Sequence, residues 1–133
     1  MTRSNTTPDA LTMTKVLFVC LGNICRSPAA EGVFRDLVRR RGLERTISTD
    51  SAGTSGWHTD APPDSRARTE AKRRGISIDD LRSRRVNTSD FERFDYVLAM
   101  DDSNMADLEE LCPAPFRSRL YLFTDFAPAG TPS

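Results

Sequence analysis

One stretch, Lys15–Pro28, constrains the fold more than any other part of the chain. It opens with an unbroken apolar run, Val16–Val19, which is typical of a strand buried on both faces of a parallel sheet. The run stops at Cys20. A helix can begin around Pro28, because the first helical turn does not use the N–H that proline lacks. The stretch therefore predicts a strand, a loop and a helix start in immediate succession.

Beyond this stretch, segments with the pattern of strands alternate with amphipathic ones. Strands are predicted over residues 45–52, 96–100 and 120–123, and helices from Pro28 to Gly42, from Asp64 or Ser65 to Arg74, over Thr88–Arg93, and from Asp101 or Asp102 to Pro113. The first helix is expected to turn one apolar face to the core, formed by Ala30, Val33, Phe34, Leu37 and Val38. The βαβαβ order predicts a single doubly wound α/β domain, a four-stranded parallel sheet with helices on both faces.

Length and composition exclude several classes of protein. The chain has 133 residues, which is enough for one domain with its own core. Nineteen basic and nineteen acidic residues cancel, so we expect no nucleic acid or membrane partner. Three cysteines, two of them close together, fit a reducing, cytoplasmic setting better than secretion. We expect a disordered leader over residues 1–14, with Met13 as an alternative start, and the domain over residues 15–133.

Cys20 and Arg26 bracket the predicted loop and give it a chemistry. At the carboxyl edge of a parallel sheet ligands bind, and the helix that follows supplies free N–H groups and a partial positive charge. Together with Arg26 these groups would hold Cys20 as a thiolate, which is the nucleophilic form of cysteine. The planar guanidinium matches two oxygens of a phosphoryl group. The sequence therefore predicts a phosphate-binding loop with Cys20 as its nucleophile.

The backbone between these two side chains would complete the anion site. Gly22 and Asn23 are the residues most able to adopt the positive φ that a tight anion-wrapping loop requires. Ser27 can donate its hydroxyl to the thiolate. The predicted phosphate-binding residues are consecutive: Leu21, Gly22, Asn23, Ile24, Cys25 and Arg26.

Two other interpretations of the loop are weaker. Cys20 and Cys25 have a C-x₄-C spacing, yet only Cys112 and His58 remain as further soft ligands, so no metal site is expected. A nucleotide-binding P-loop would end in Gly-Lys-Ser or Gly-Lys-Thr, which is missing here. A cysteine six residues before an arginine is common by chance, and it is the strand, the Gly-Asn turn and the Ser-Pro helix start around the pair that favour catalysis.

With these residues in place, the chain resembles the low-molecular-weight protein tyrosine phosphatases. The match is close over Val19–Glu31 and continues through Asp50–Thr54, Trp57, Lys72–Ile76 and Phe94–Asp101. It covers nearly everything from Lys15 onward. The resemblance implies that Cys20 forms a phosphocysteine intermediate while Arg26 binds the phosphoryl oxygens, and no cofactor is expected.

The resemblance implies further roles. Asn23, Ser27 and Ser51 would form the hydrogen-bond network that shapes the loop. Trp57 would be the aromatic wall of a slot for a planar phenyl phosphate, and the alternative is an ordinary anchor of its own loop. Cys25 would be a resolving cysteine that forms a reversible disulfide with Cys20, and the alternative is a small packing residue.

The end of the sequence departs from the family pattern. Family members continue into an Asp-Pro-Tyr loop, whose aspartate is the general acid, and into a final helix. Asp125 aligns with the end of the fourth strand, so no residue here is assigned as the acid. We therefore expect impaired catalysis, most of all for poor leaving groups, and apolar strand residues exposed where the helix would lie. Whether the short end is natural or a truncation stays open.

Three functions remain as hypotheses. The first is a tyrosine phosphatase acting on a phosphotyrosine protein or a small aryl phosphate, with inorganic phosphate as product or inhibitor. The second is an arsenate reductase on the same loop, which would need Cys112 to take over the oxidation. The third is a phosphate-binding module without catalysis.

Overall fold

Four parallel strands form one sheet. The structure is a computed structural model that describes residues 13–56 and 59–126. The strands are β1, Thr14–Cys20; β2, Ile47–Gly53; β3, Tyr96–Ala99; and β4, Leu120–Leu122, in the order β2-β1-β3-β4. The pairs β1–β2, β1–β3 and β3–β4 are all parallel. The predicted doubly wound parallel sheet is confirmed.

Helices connect the strands at almost the predicted positions. They are α1, Arg26–Arg40; α2, Ser65–Arg73; α3, Asp90–Arg93; and α4, Asp102–Leu111, with 3₁₀ turns at Ala114–Arg119 and Phe123–Phe126. Asp64 caps α2, where its Oδ2 accepts the Arg66 N–H at 3.0 Å. Asp101 caps α4, where its Oδ1 accepts the Asn104 N–H at 2.8 Å. Within the described residues no helix is long and apolar enough to cross a membrane.

The two faces of β1 contribute to two separate core clusters. Leu17 and Val19 pack with residues that include Phe91 and Leu108, from α3 and α4. Val16 and Phe18 belong to the second cluster, on the side of α1. Alternate residues of one strand therefore face opposite sides, so helices cover both faces of the sheet, as predicted.

The predicted core face of α1 is partly wrong. Val38 is buried, but Val33 and Leu37 are 49% and 37% exposed. Buried in their place are Glu31 and Gly32. A Cβ added to Gly32 would lie 2.3 Å from Cγ2 of Ile78, so α1 packs against the segment after α2 at a contact that needs a glycine. The apolar pattern of α1 could not reveal this contact, because the face of α1 that is buried is not the most apolar face of the helix.

The α1 side of the sheet carries an apolar groove of about 390 Å³, lined by Thr14, Val16, Phe18, Phe34, Ile47, Tyr96, Leu98, Phe123 and Phe126. The expectation that strand residues are exposed here is only partly right. Phe18 is buried, because the rings of Phe34 and Phe123 pack on it at 5.7 and 6.0 Å between centroids. The exposed apolar surface belongs mainly to Phe126, Phe123 and Tyr96.

Candidate active site

The sheet order puts Cys20 where an open α/β sheet binds its ligands. Cys20 is the last residue of β1, and α1 begins at Arg26. We call residues 20–27 the Cys20 loop. From β1 the chain order runs to β2 on one side and to β3 on the other. The carboxyl ends of β1 and β3 therefore border the crevice at which such sheets bind ligands.

The Cys20 sulfur has polar neighbours although the residue is only 3% exposed. The Asn23 N–H donates to it over 3.3 Å, and the Ser27 hydroxyl oxygen lies 3.0 Å away. The Asn23 side-chain amide in turn donates to the Ser27 hydroxyl over 2.9 Å. A buried sulfur with such donors can carry a negative charge, which a nucleophilic cysteine requires.

Asn23 is the residue of the Cys20 loop that has a positive φ. Asn23 has φ +58°, in the left-handed region. Gly22, the other residue expected there, is not among the described residues with positive φ. The expectation is therefore confirmed for Asn23 and wrong for Gly22. Asparagine tolerates the left-handed region because its short polar side chain can form local hydrogen bonds.

Arg26 has a partner that the sequence did not reveal. Its Nη1 donates to Asp101 Oδ2 over 2.8 Å, and both side chains are roughly half exposed. The pKa of the Asp101 carboxyl is lowered, first by the Asn104 N–H and then by Arg26. An ion pair this exposed is weak, so a phosphoryl dianion in the crevice can compete for the guanidinium.

Gly53, at the end of β2, supports the Cys20 loop from behind. A Cβ at this position would lie 2.7 Å from the carbonyl oxygen of Leu21 and 3.1 Å from the carbonyl carbon of Gly22. The residues that follow Gly53 hold the loop by backbone bonds, from Thr54 N to Cys20 O and from Ser55 N to Leu21 O, both 2.9 Å. A glycine directly after a predicted strand is the only sequence signal for this contact.

Asn23 is also fixed from the far side of the loop. The backbone N–H of Arg84 donates to Asn23 Oδ1 over 2.9 Å. The Arg84 guanidinium binds two carboxylates, Asp50 at 3.1 Å and Asp90 at 2.9 Å. The sequence alone does not single out Arg84, because its role depends on contacts between segments far apart in the chain.

Ser51, predicted as a third member of the loop network, is buried on β2 near Glu31. Glu31 Oε2 accepts the Thr49 hydroxyl over 3.0 Å, while its Oε1 has no hydrogen-bond partner in the described part of the chain. Burial raises the pKa of Glu31, and the nearby Ser51 and Thr49 hydroxyls offset part of that rise. The structure thus connects Asn23 with Ser27 as expected and places Ser51 beside Glu31.

The remaining predicted site residues lie around the mouth of the loop. Cys25 is exposed, and its pKa is raised by partial burial first and then by the charges of Asp64 and Cys20. The carbonyl of Ile24 accepts the Asp64 N–H over 2.7 Å, which ties the loop to the start of α2. Trp57, the predicted wall of the substrate slot, lies outside the described residues, as do His58 and residues 1–12 of the predicted leader. Thr14, predicted to belong to that leader, is instead the first residue of β1.

Two aspartates that could be considered as a general acid, Asp101 and Asp125, each have another partner in the described part of the chain. Asp101 binds Arg26 and caps α4. Asp125 folds back on β4, where its Oδ2 accepts the Leu122 N–H over 3.3 Å. Within residues 13–56 and 59–126, no His, Cys, Asp and Glu side chains cluster in a way that could hold a metal ion. The geometry therefore offers a nucleophile and an anion site, both built on the Cys20 loop.

Comparisons with known proteins agree with this geometry. Residues 15–131 match the family model "Low molecular weight phosphotyrosine protein phosphatase". A protein of that name from Schizosaccharomyces pombe is 48% identical over 117 residues, which cover 87% of this chain and 74% of the relative. A low molecular weight protein-tyrosine-phosphatase from Bacillus subtilis is 45% identical over 114 residues, covering 86% and 73%. The crystal structure of a protein tyrosine phosphatase from Entamoeba histolytica superposes with a TM-score of 0.86 at 42% identity, covering 90% of this chain and 76% of that one.

Proposed function

The chain belongs to the low molecular weight phosphotyrosine protein phosphatase family, and from this premise we propose that it hydrolyses aryl phosphate esters, phosphotyrosine among them, through a phosphocysteine on Cys20. As a member of this family it is a cysteine-dependent phosphatase. One observation carries the residue assignment. The buried Cys20 sulfur faces the Asn23 N–H and the Ser27 hydroxyl at the carboxyl edge of the sheet.

In the first step the Cys20 thiolate attacks phosphorus, and the bond from phosphorus to the aryl oxygen breaks. The aryl oxide departs with the electron pair of that bond. The three phosphoryl oxygens become equatorial in the transition state, where the loop N–H groups and the start of α1 stabilise their charge. Arg26 joins them by turning from Asp101, an exchange made easy by the exposure of that pair.

In the second step water attacks the phosphocysteine, and the Cys20 sulfur leaves as a thiolate while inorganic phosphate is released. A thiolate leaves faster when it is stabilised as an anion. The Asn23 N–H and the Ser27 hydroxyl are the groups placed to do this, at 3.3 and 3.0 Å from the sulfur.

Protonation of the leaving group is a step for which the described residues offer no assigned carboxylate, since Asp101 binds Arg26 and Asp125 accepts the Leu122 N–H. We therefore propose that the described residues by themselves support turnover of esters of acidic phenols better than turnover of esters of poor leaving groups. The rates for a series of aryl phosphates should fall steeply as the phenol becomes less acidic. A rate that does not depend on the leaving group would contradict this part of the proposal.

Turnover of p-nitrophenyl phosphate by the Cys20→Ser variant tests the assignment of the nucleophile. We expect no detectable turnover, because a serine hydroxyl at this position lacks the thiolate's nucleophilicity. Cys112→Ser is the matched control and should retain activity, since Cys112 is buried in the core at the far end of α4. Retained turnover in Cys20→Ser would refute the proposal.

The two alternative functions have less support. Arsenate reduction would pass the oxidation to Cys112, but α4 begins beside Arg26 and ends at Leu111, and a helix of 10 residues is about 15 Å long. Thiol oxidation at Cys112 that depends on arsenate would revive that hypothesis. Tight phosphate binding without turnover of any activated ester would favour a binding module.

Three narrower assignments stay predictions: Trp57 as the slot wall, Cys25 as the resolving cysteine, and a cytoplasmic location. For Cys25 the raised pKa means that it is a thiol near neutral pH, so Cys20 would be the residue that peroxide oxidises first. Condensation of the resulting sulfenic acid with the Cys25 thiol would release water and form the disulfide. In Cys25→Ser, excess peroxide should instead oxidise the Cys20 sulfenic acid further to the sulfinic acid, so that a thiol reductant no longer restores activity.

A further inference from the structure

Arg84 occupies a position that neither the loop motif nor the proposed reaction accounts for. It lies between α2 and α3, and 61 residues separate it from Asn23, whose side chain its backbone N–H contacts. Its side chain is about 29% exposed, and its guanidinium binds Asp90, which is fully buried, and Asp50 on β2. Nη1 and Nη2 reach the two oxygens of Asp90 at 2.9 and 3.1 Å, while Nε reaches Asp50 at 3.2 Å.

These contacts fix the backbone around Arg84 as well as its side chain. The carbonyl of Arg84 accepts the Gly53 N–H at 2.8 Å, and the Val86 N–H returns to the Gly53 carbonyl at 2.8 Å. The segment is therefore held against the end of β2, directly behind the Cys20 loop. A bidentate arginine–carboxylate pair adds geometric definition to such a junction.

The orientation of the Asn23 amide follows from this junction. The Arg84 N–H can only donate, so the atom of Asn23 that faces it must be the amide oxygen. The amide nitrogen then points to Ser27, where it donates to the hydroxyl oxygen over 2.9 Å. With its oxygen already accepting that bond, the Ser27 hydroxyl hydrogen is free to point to the Cys20 sulfur 3.0 Å away.

We propose that Arg84, anchored by Asp50 and Asp90, is a positioning residue that orients Asn23 and thereby makes Ser27 a hydrogen-bond donor to the Cys20 sulfur. The inference rests on the proposed function for its catalytic consequence. Loss of the anchor frees the Asn23 amide, so the thiolate loses a donor both when it forms and when it leaves the phosphocysteine. Hydrolysis of the intermediate should suffer more than its formation.

Arg84→Met tests this through two readouts that use no common step. The pH midpoint for alkylation of Cys20 by iodoacetate, followed on its own peptide by mass spectrometry, should rise by about one pH unit, because a hydrogen bond to a charged group has been lost. In stopped-flow turnover of p-nitrophenyl phosphate, kcat and KM should fall together by about tenfold, with a full initial burst of p-nitrophenol.

Arg35→Met is the matched control. Arg35 also binds a carboxylate through two nitrogens, in Asp80 at 2.8 and 2.9 Å, but this pair lies between α1 and the segment after α2. The variant should leave the alkylation midpoint and the burst unchanged. A change of equal size in both variants would show that any lost arginine pair loosens the loop, and would overturn the specific role of Arg84.

Arg84→Met leaves the buried Asp90 without its main partner, which can destabilise the fold. Two milder variants therefore repeat the test. Asp50→Asn removes one arm of the anchor and keeps Asp90 paired, and its amide oxygen can still accept the Ser51 N–H that Asp50 Oδ1 binds at 2.8 Å. We expect a smaller shift in the same direction, with Arg84→Lys also intermediate. Unchanged alkylation midpoints in folded Asp50→Asn and Arg84→Lys would refute the role of Arg84. If the midpoints shift but the parent chain shows no turnover, the proposed function alone is refuted.

Discussion

Gly53 shows how a single missing side chain allows the site to form. The backbone of β2 runs so close to the Cys20 loop that a Cβ would meet the Leu21 carbonyl at 2.7 Å. Gly53→Ala should destabilise the fold by about 1–3 kcal/mol, as overpacking typically does, and should lower turnover as the loop is displaced.

Gly56, three residues further along the chain, provides a control. Among the described residues, a Cβ at Gly56 would meet the Arg85 side chain at 3.6 Å, an ordinary contact. Urea unfolding and p-nitrophenyl phosphate turnover of Gly53→Ala and Gly56→Ala should differ clearly. Equal behaviour of the two variants would contradict the close approach at Gly53.

Glu31 makes the stability of the fold depend on pH. Its raised pKa, caused mainly by burial, means that the folded chain holds this proton more tightly than the unfolded chain. The stabilisation is complete below the ordinary glutamate pKa and is lost as pH rises through the folded value. In thermal unfolding from pH 4 to 8, the Tm of Glu31→Gln minus the Tm of the parent chain should therefore increase as pH rises. A difference that decreases with pH or stays constant would contradict the assignment.

At the residue scale, local chemistry was predictable and distant partners were not. The positive φ of Asn23 and the proximity of Ser27 to the Cys20 sulfur follow from neighbours in the sequence. Asp101 lies 75 residues from Arg26, and Arg84 lies 61 residues from Asn23. Only the fold brings such pairs together, and no local pattern encodes them.

Among the elements, the contribution of the α4 cap can be separated from that of the ion pair with Arg26, although Asp101 makes both contacts. Asp101 both caps α4 and binds Arg26. Asp101→Ala should lower the unfolding free energy by about 1 kcal/mol, the usual cost of a lost cap. Asp101→Asn keeps an acceptor for the Asn104 N–H and should cost much less. Equal losses in denaturant unfolding would assign the stabilisation to the Arg26 pair instead.

Element boundaries were predictable to within a few residues, because strands and caps leave local signals. The face of α1 was not. Val33 and Leu37 follow the apolar pattern yet are exposed, whereas Gly32 is buried against Ile78. The position of Ile78 depends on how α2 returns the chain, which periodicity alone cannot give.

For the whole molecule, the apolar groove on the α1 side predicts binding of hydrophobic dyes in the native state. Phe126 is 57% exposed there, beside Tyr121 and Phe123. The fluorescence of 8-anilinonaphthalene-1-sulfonate should rise with the folded chain and should fall for Phe126→Ser. Leu111→Ser, an exposed apolar residue on α4, is the control and should leave dye binding unchanged. A signal that is equal in both variants would place the dye elsewhere.

The order β2-β1-β3-β4 joins these scales, since it brings the ends of β1 and β3 to one crevice and puts Cys20 beside the start of α1. The central claim is that Cys20 receives the phosphoryl group there. Acid quenching of the chain during turnover of a ³²P-labelled aryl phosphate, followed by peptide mapping, tests it directly. We predict label on the peptide that carries Cys20 and none in Cys20→Ser. Turnover without label on Cys20, or label on another residue, would contradict the account.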